Sequence, residues 1–417
     1  MKEEGLGQLM HGRAGDELLQ KAGKTVSQCD RCGACLPVCP LFGEKDHEFA
    51  SARGKNAMVR ALAEGGLEPT RDLLARVDFC LLCRACVEAC PNQIATDQAM
   101  IDLRQYLKYR MGYKNVKQEA LAAVLDSRTA VKLAAGLLAF CRRRGLNGLF
   151  SHSLLPEEFT RAHFLAAHAG PAALGQKTPI AGLKVTGATK VAYFQGCGMR
   201  LLFPAAAART CAILAATAPL VQRANACCGL PHLAHGKRRE FLALARNNIR
   251  LYEGSDIIVS DCASCSSMLK HLGAWLEDDP AWKDRAALFS GKVMDLTEYL
   301  AGIGYRPPMK ADVTLTYHAP CHLVRGQGIS AEPRALLQAA GNFVELPEAD
   351  RCCGGAGSFH LDYPEISSQI LERKRKNIER TGAAIVVTGC PGCLIQLTRA
   401  AKKSGHKFKA LHISQII

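Results

Sequence analysis

The chain is poor in aromatic residues, which supply 6% of its 417 positions and include only two tryptophans. With no recognisable nucleic-acid module either, that scarcity argues against nucleic acid as a partner. No run of eighteen apolar residues occurs, so no segment is expected to span a membrane. The opening residues Met1-Lys2-Glu3-Glu4-Gly5 are charged and no apolar stretch follows them. No signal peptide is therefore expected, and the cytoplasm is the expected compartment. No Gly-x-Gly-x-x-Gly opens a first βα unit, so no flavin or nicotinamide fold is expected on this chain. No base paired with a substrate carboxylate clamp stands out, and no catalytic residue is assigned. Acidic residues are also in short supply, 38 against 53 basic ones, for a formal charge of +15. The basic runs at Arg142-Arg143-Arg144, Lys237-Arg238-Arg239 and Arg373-Lys374-Arg375-Lys376 read as solvated helix faces. Docking to an acidic partner subunit, or peripheral contact with an anionic membrane face, is the alternative.

What the chain has is cysteine, twenty in all. In a chain of this size with no expected leader, clustered Cys-x2-Cys spacings read as metal ligands rather than disulfides. The first set reads Cys29-x2-Cys32-x2-Cys35-x3-Cys39-Pro40, and the second Cys80-x2-Cys83-x2-Cys86-x3-Cys90-Pro91. This is the two-cluster ferredoxin pattern, in which the fourth cysteine of each run ligates the other cluster. Cluster one is thus assigned to Cys29, Cys32, Cys35 and Cys90, and cluster two to Cys80, Cys83, Cys86 and Cys39. Three thiolates on one tight loop reach three corners of a cube, and the fourth must arrive from a segment that folds back. Proline after the last cysteine resists continuation of a helix. A pair of zinc sites is the alternative, but zinc needs four ligands and no third cysteine two residues on.

A short helix is expected over 15–28, and helical spacing recurs at Arg53–Leu62 and Arg71–Val77. After Cys90, Thr96 or Asp97 is expected to cap a helix whose apolar stripe is Met100, Leu103, Leu107 and Met111. Ala130 to Cys141 reads as a packing helix with a basic end, or else as a surface-lying amphipathic one. Gly170-Pro171 and residues 175–187 are rich in turn formers and read as a linker.

From residue 186 the chain repeats itself at a spacing of about 125 residues, too long for a solenoid unit and therefore a duplicated domain. The run Val191–Gly196 leads to Cys197, Leu220-Val221 leads to Cys227-Cys228-Gly229, and Ile257–Ser260 delivers Cys262-x2-Cys265. In the second copy Val313–Tyr317 leads to Cys321, Phe343–Leu346 to Cys352-Cys353-Gly354, and Ile385–Val387 to Cys390-x2-Cys393. Helices are expected at Lys237–Tyr252 and Tyr363–Arg380, echoing each other at Asn248-Ile249 and Asn377-Ile378. Each copy reads βαβαβ with short β-branched strands of the buried parallel type. The expected fold class is α/β: duplicated βαβαβ modules with parallel sheets, preceded by an α-helical ferredoxin domain with two clusters. The expected boundaries are 1–115 for the ferredoxin domain, 116–185 for a helical connector, 186–300 for the first module and 301–417 for the second.

All five motif cysteines of each copy follow a strand end, so they should converge at the crevice where open α/β sheets place ligands. Five thiolates at an exposed sheet edge would be open to a diffusing partner, while the ferredoxin loops wrap their clusters. The repeated half is therefore expected on the acceptor side of an electron relay. Adjacent cysteines need a turn, aided by Gly229 or Gly354, to face one centre. Zinc with a spare thiol and a vicinal redox disulfide are the alternatives to an iron–sulfur cluster of unusual ligation. His318 and His322 flank Cys321; bonding to backbone is the preferred reading, and tuning or ligating the centre is the alternative. Cys211 falls within a helix and reads as a packing residue.

Two ferredoxin motifs followed by two copies of lone cysteine, Cys-Cys-Gly and Cys-x2-Cys make this layout similar to the iron–sulfur subunit of glycolate and D-lactate dehydrogenases. The same layout occurs in the third subunit of anaerobic glycerol-3-phosphate dehydrogenase. The cysteine-rich half resembles the catalytic subunit of heterodisulfide reductase. The resemblance implies a non-cubane 4Fe–4S cluster on Cys197, Cys227, Cys228, Cys262 and Cys265, and another on Cys321, Cys352, Cys353, Cys390 and Cys393. It also implies a separate FAD-bearing flavoprotein subunit that carries the hydride chemistry, with quinone or another acceptor downstream. The expected role of this chain is electron transfer.

Overall fold

The computed structural model describes residues 15–45, 47–113, 189–222, 227–307 and 311–417. The packing helix expected at 130–141 with Cys141, the run Arg142-Arg143-Arg144, Gly170-Pro171 and the turn-rich stretch 175–187 lie outside the described residues. The chain divides into two compact units, Met1–Ala122 with Pro231–Phe241, and Ala123–Leu230 with Leu242–Ile417.

The first unit is helical and built twice over. A helix at 15–26 runs into the first cysteine loop, and Ala52–Ala63 follows it; Arg71–Asp78 runs into the second loop, and Thr96–Arg110 follows that. Ser51 and Thr70 cap their helices by accepting from Gly54 N and Leu73 N at 3.3 and 3.2 Å. Carbonyls at the end of each leading helix are gathered by an arginine of a following helix. Arg60 Nη2 donates to Val26 O, Ser27 O and Cys29 O at 3.2–3.3 Å. Arg104 Nη2 donates to Val77 O, Asp78 O and Cys80 O at 2.9–3.2 Å. Between these helices Val59, Leu62, Leu74, Val77, Met100, Leu103 and Leu107 form the core. The expected stripe is buried except at its end, where Met111 lies past the helix and is half-buried. Neither Thr96 nor Asp97 caps this helix. Ala95 holds the cap position without a side-chain bond, because Thr96 Oγ1 donates instead to Asn56 Oδ1 at 3.1 Å and Asp97 pairs with Arg84 at 3.5 Å.

The second unit holds two four-stranded parallel sheets. Strands β1 (Val191–Tyr193), β2 (Leu220–Gln222), β3 (Ile257–Ser260) and β4 (Val293–Asp295) lie in the order β2-β1-β3-β4. Strands β5 (Ala311–Tyr317), β6 (Gly341–Phe343), β7 (Ile385–Thr388) and β8 (Lys409–His412) repeat it as β6-β5-β7-β8. Each module thus carries a fourth strand beyond the expected βαβαβ. The β6 strand also ends early: Val344 N still donates to Leu315 O at 2.8 Å, but Glu345 and Leu346 have left the sheet. The duplication extends to single backbone bonds. Phe194 N donates to Val259 O at 2.8 Å and His318 N to Val387 O at 2.9 Å, which makes Phe194 and His318 equivalent positions.

One apolar core runs through both modules, taking Val191, Tyr193 and Val259 from the first and Leu315, Tyr317 and Val386 from the second. Cys211 lies on the helix Pro204–Thr217 and packs against this core, as a packing residue should. Buried polar contacts fasten the modules as well. Asp261 Oδ2 accepts from Tyr193 Oη at 2.7 Å and Thr210 Oγ1 at 2.8 Å, and His412 Nε2 lies 2.9 Å from Asp261 O.

Candidate metal centres

In each ferredoxin loop the residues on either side of the second cysteine are left-handed. Arg31 and Gly33 flank Cys32 at φ 58° and 87°, and Leu82 and Arg84 flank Cys83 at 51° and 63°. Two left-handed residues in four curl the chain so that successive thiols face one interior. Glycine adopts this freely, whereas a side chain there is strained by about 1–2 kcal/mol. Two cavities open inside the curls. One is lined by Cys29, Cys32, Cys35, Cys86 and Cys90, the other by Cys39, Cys80, Cys83 and Cys86. The fourth cysteine of each run therefore meets the cavity of the opposite loop, and Cys86 borders both. Burial, then its neighbours Cys83 and Cys80, push the Cys86 thiol well above its usual range. Close-set thiols whose anions burial disfavours are a donor set that suits a bound metal cluster, which neutralises them.

Lys55 is a functional neighbour that sequence reasoning missed. Its side chain is 1% exposed, lines the second cavity, and donates from Nζ to Phe49 O at 3.0 Å and Ala50 O at 2.6 Å. Cys39 Sγ also lies 3.6 Å from Ala50 O.

In the repeated half the cysteines come from the carboxyl ends of three adjacent strands in each sheet. Cys197 opens a helix after β1, and Cys321 does so after β5. Cys262 and Cys390 stand at the N-cap positions of Ala263–Lys270 and Pro391–Lys403, with Cys265 and Cys393 in their first turns. Helix N-termini favour negative charge, but neighbouring thiols and burial outweigh this at Cys262, Cys265 and Cys393, which are pushed well above their usual range, while Cys390 is held below it by its bonds from Cys262 and Cys393. The Cys-Cys-Gly turns are alike: Gly229 (φ 91°) and Gly354 (φ 79°) donate from N to Cys227 Sγ and Cys352 Sγ, both at 3.4 Å.

Side-chain contacts link Cys197 to Cys227, Cys227 to Cys228, Cys228 to Cys265 and Cys265 to Cys262. They cross the modules from Cys262 to Cys390, then continue through Cys393, Cys353 and Cys352 to Cys321. All ten thiols form one unbroken series whose midpoint is the join between the copies. The Sγ atoms of Cys197 and Cys227 are 3.8 Å apart. Two thiolates on one tetrahedral ion, with bonds of about 2.3 Å, are separated by about the same amount. Gly196 has no room for a side chain, since a Cβ there would stand 2.9 Å from Cys265 Sγ. The donor set and its spacing fit metal ions held by thiolates.

Two expectations need correction. The repeated cysteines are not at an exposed edge. Cys227, Cys228, Cys262, Cys265, Cys352, Cys353, Cys390 and Cys393 are buried, and Cys197 and Cys321 half-buried, whereas Cys32 of the ferredoxin loop is exposed. The cause is that the modules close their cysteine edges on each other: Ala263 N donates to Gly389 O at 2.9 Å, and Ser264 Oγ lies 3.5 Å from Cys390 Sγ. The histidines differ too. His322 Nδ1 lies 2.9 Å from Ser264 Oγ, a side chain of the other module. Neither ring nitrogen of His318 has a hydrogen bond of normal geometry, and His318 joins Cys353 and Cys393 in a buried group whose ligand atoms all lie within 4.8 Å.

No helix among the described residues is long and apolar enough to cross a membrane. The family model of a 4Fe-4S dicluster domain matches residues 25–94, and that of a cysteine-rich domain matches 191–270 and again 315–398. The chain is 30% identical over 411 residues to the probable glycolate oxidase iron-sulfur subunit of Bacillus subtilis, covering 93% of this chain and 92% of that one. It is 26% identical over 393 residues to the glycolate oxidase iron-sulfur subunit of Escherichia coli, with 92% of each chain covered. Lactate utilization protein A of an Exiguobacterium strain is 31% identical over 242 residues, which cover 54% of this chain and 96% of that protein. With a dicluster domain ahead of two cysteine-rich repeats and a relative matched along nearly its whole length, the chain belongs to the family of the glycolate oxidase iron–sulfur subunits.

Proposed function

We propose that this chain is the electron-transfer subunit of a flavin-dependent 2-hydroxyacid dehydrogenase acting on glycolate or lactate. A separate flavoprotein subunit would accept the hydride and hand on its electrons singly. The observation that carries the reading is the pair of ferredoxin cavities, each bordered by three cysteines of one loop and the last cysteine of the other. These residues would hold two cubane 4Fe–4S clusters, with Cys29, Cys32, Cys35 and Cys90 on one and Cys39, Cys80, Cys83 and Cys86 on the other. The ten repeated cysteines would hold further iron–sulfur centres, whose supply of low-barrier one-electron steps is the chemistry the clusters bring. The chain's own part is to bury those centres, to set Cys262 and Cys390 against each other so that the two modules exchange electrons, and to leave Cys32 at the surface for a partner. Quinone or another carrier would take the electrons onward.

The purified chain alone is expected to leave glycolate and lactate unoxidised in the presence of an artificial dye. Copurified with its flavoprotein, it should lose visible iron–sulfur absorbance when the hydroxy acid is added. Flavin-free, partner-free chain that oxidises either acid would overturn the reading. Iron near about eight atoms per chain, the content of two four-iron clusters, with stoichiometric zinc would confine electron transfer to the ferredoxin half.

A further inference from the structure

The two modules match in all ten cysteines but not in what stands behind them. At the end of β5 the chain carries His318, and at the register-equivalent end of β1 it carries Phe194, each making the same backbone bond to the neighbouring strand. Both side chains are buried, at 1% and 0% exposure. Phenylalanine completes an apolar wall. Histidine in the same place buries two polar nitrogens, and neither has a hydrogen bond of normal geometry, although the Ala349 backbone is close enough to act on the ring. A core histidine kept for packing would have a partner, because an unmet polar group is costly to bury. The imidazole is instead grouped with Cys353 and Cys393, with the three ligand atoms all within 4.8 Å of one another. In the described residues of the first module Cys228 and Cys265 have no histidine in that position, since Phe194 occupies it.

We propose that His318 is a nitrogen donor to the metal centre of the second module, so that the two modules hold chemically different centres. The inference rests on the reading that the repeated cysteines bind iron–sulfur clusters. Imidazole is a neutral ligand where thiolate is anionic. With five thiols already in the module, His318 would stand in for one of them, and replacing thiolate by imidazole raises a cluster's reduction potential, as in clusters where two histidines stand for two cysteines. The second centre is therefore the higher-potential of the two, and an electron shared across the Cys262–Cys390 join comes to rest in the second module. The first site has a cation of its own in Arg200, whose charge acts on Cys197, but Arg200 is half-buried and is no substitute for a ligand.

The test is pulsed electron paramagnetic resonance on the partly reduced holoprotein, grown with histidine labelled with nitrogen-15, alongside a redox titration and iron analysis. A histidine nitrogen coupling of the size expected for direct ligation should appear in the wild type and vanish in His318→Phe, the residue the first module already has. The same variant should favour reduction of the second centre at least tenfold less, which is about 59 mV for a one-electron couple. The ferredoxin signals should be unchanged in both. Full iron content without a ligated histidine nitrogen, or a coupling that survives His318→Phe, would overturn the proposal and leave the electron-transfer reading standing. Should His318→Phe lose iron, the labelled wild-type spectrum alone decides. Iron confined to the ferredoxin half would overturn the cluster reading of the modules and this ligand with it.

Discussion

Replacing Arg104 with alanine should unfasten the loop that carries Cys80, Cys83 and Cys86. Its guanidinium donates from Nη2 to Val77 O, Asp78 O and Cys80 O at 3.2, 3.1 and 2.9 Å, and from Nη1 to Ala234 O at 2.8 Å. It also pairs with Asp78 at 3.2 Å. The residue is 5% exposed, so water cannot replace these bonds when the side chain is cut away. Removing one partner of a buried charged contact costs about 3–5 kcal/mol. A loss of about 4 kcal/mol is close to a thousandfold in the folded-to-unfolded ratio. For a unit of this size it lowers Tm by roughly 8–16 °C. Arg60 is the control, because it serves the first loop in the same way but is half-buried and meets its three carbonyls at 3.2–3.3 Å through Nη2 alone. Arg60→Ala should cost about 1 kcal/mol. Both variants can be melted as holoprotein, with helicity followed by circular dichroism and the clusters by visible absorbance. If Arg60→Ala proves as damaging as Arg104→Ala, burial is not what sets the cost. If Arg104→Ala melts like the wild type, the metal–thiolate bonds hold the loop and the carbonyl cage does not.

Cys39→Ser should disturb the cluster whose other ligands are Cys80, Cys83 and Cys86; spectra that instead show loss of the Cys29, Cys32 and Cys35 cluster would reverse the assignment. Asp295 is buried at the start of the helix Leu296–Gly302, and burial raises it to about 6, with Glu298 adding to the rise and Lys270 opposing it. A carboxyl whose folded pKa lies above its unfolded value of 3.8 binds protons more tightly when folded, so stability falls as pH rises through that window. Between pH 5 and pH 7 the loss is on the order of 1 kcal/mol. Asp295→Asn keeps an acceptor for Thr297 N, now bonded at 2.9 Å, and should remove this slope from chemical denaturation curves; an unchanged slope would rule the residue out as its source.

Local chemistry was legible in the sequence where one residue type at a fixed spacing has few other uses. The ferredoxin loops, the repeat and the parallel strands β1, β3, β5 and β7 all belong to that class. The fourth strands were not legible, because β4 is the three residues Val293-Met294-Asp295 between two helices, and β8 reads Lys409-Ala410-Leu411-His412 with only two apolar positions. Neither has the β-branched run that marks a buried strand. Burial of the repeated cysteines was hidden for a different reason. It depends on one module closing on the other through Ala263–Gly389 and Ser264–Cys390, and no window of sequence contains both sides of that contact.

Lys55 carries the point furthest. In Arg53-Gly54-Lys55 it reads as one more charge on a solvated helix face, and its neighbour Arg53 is indeed half-exposed and paired with Glu48. What turns Lys55 inward is the glycine between them. A Cβ at Gly54 would stand 2.2 Å from Glu48 O, so the first turn of this helix lies directly on the turn Glu48–Ala50. That close approach places the carbonyls of Phe49 and Ala50 over the Lys55 position, and they take up its ammonium beside the second cavity. The cation is therefore held by backbone that any sequence would offer, at a distance that only glycine permits. Burial lowers its proton affinity, while the thiols of Cys80 and Cys39 work the other way. A bound cluster of net negative charge would strengthen that second influence, so the loop and its buried lysine stabilise each other more once the metal site is formed.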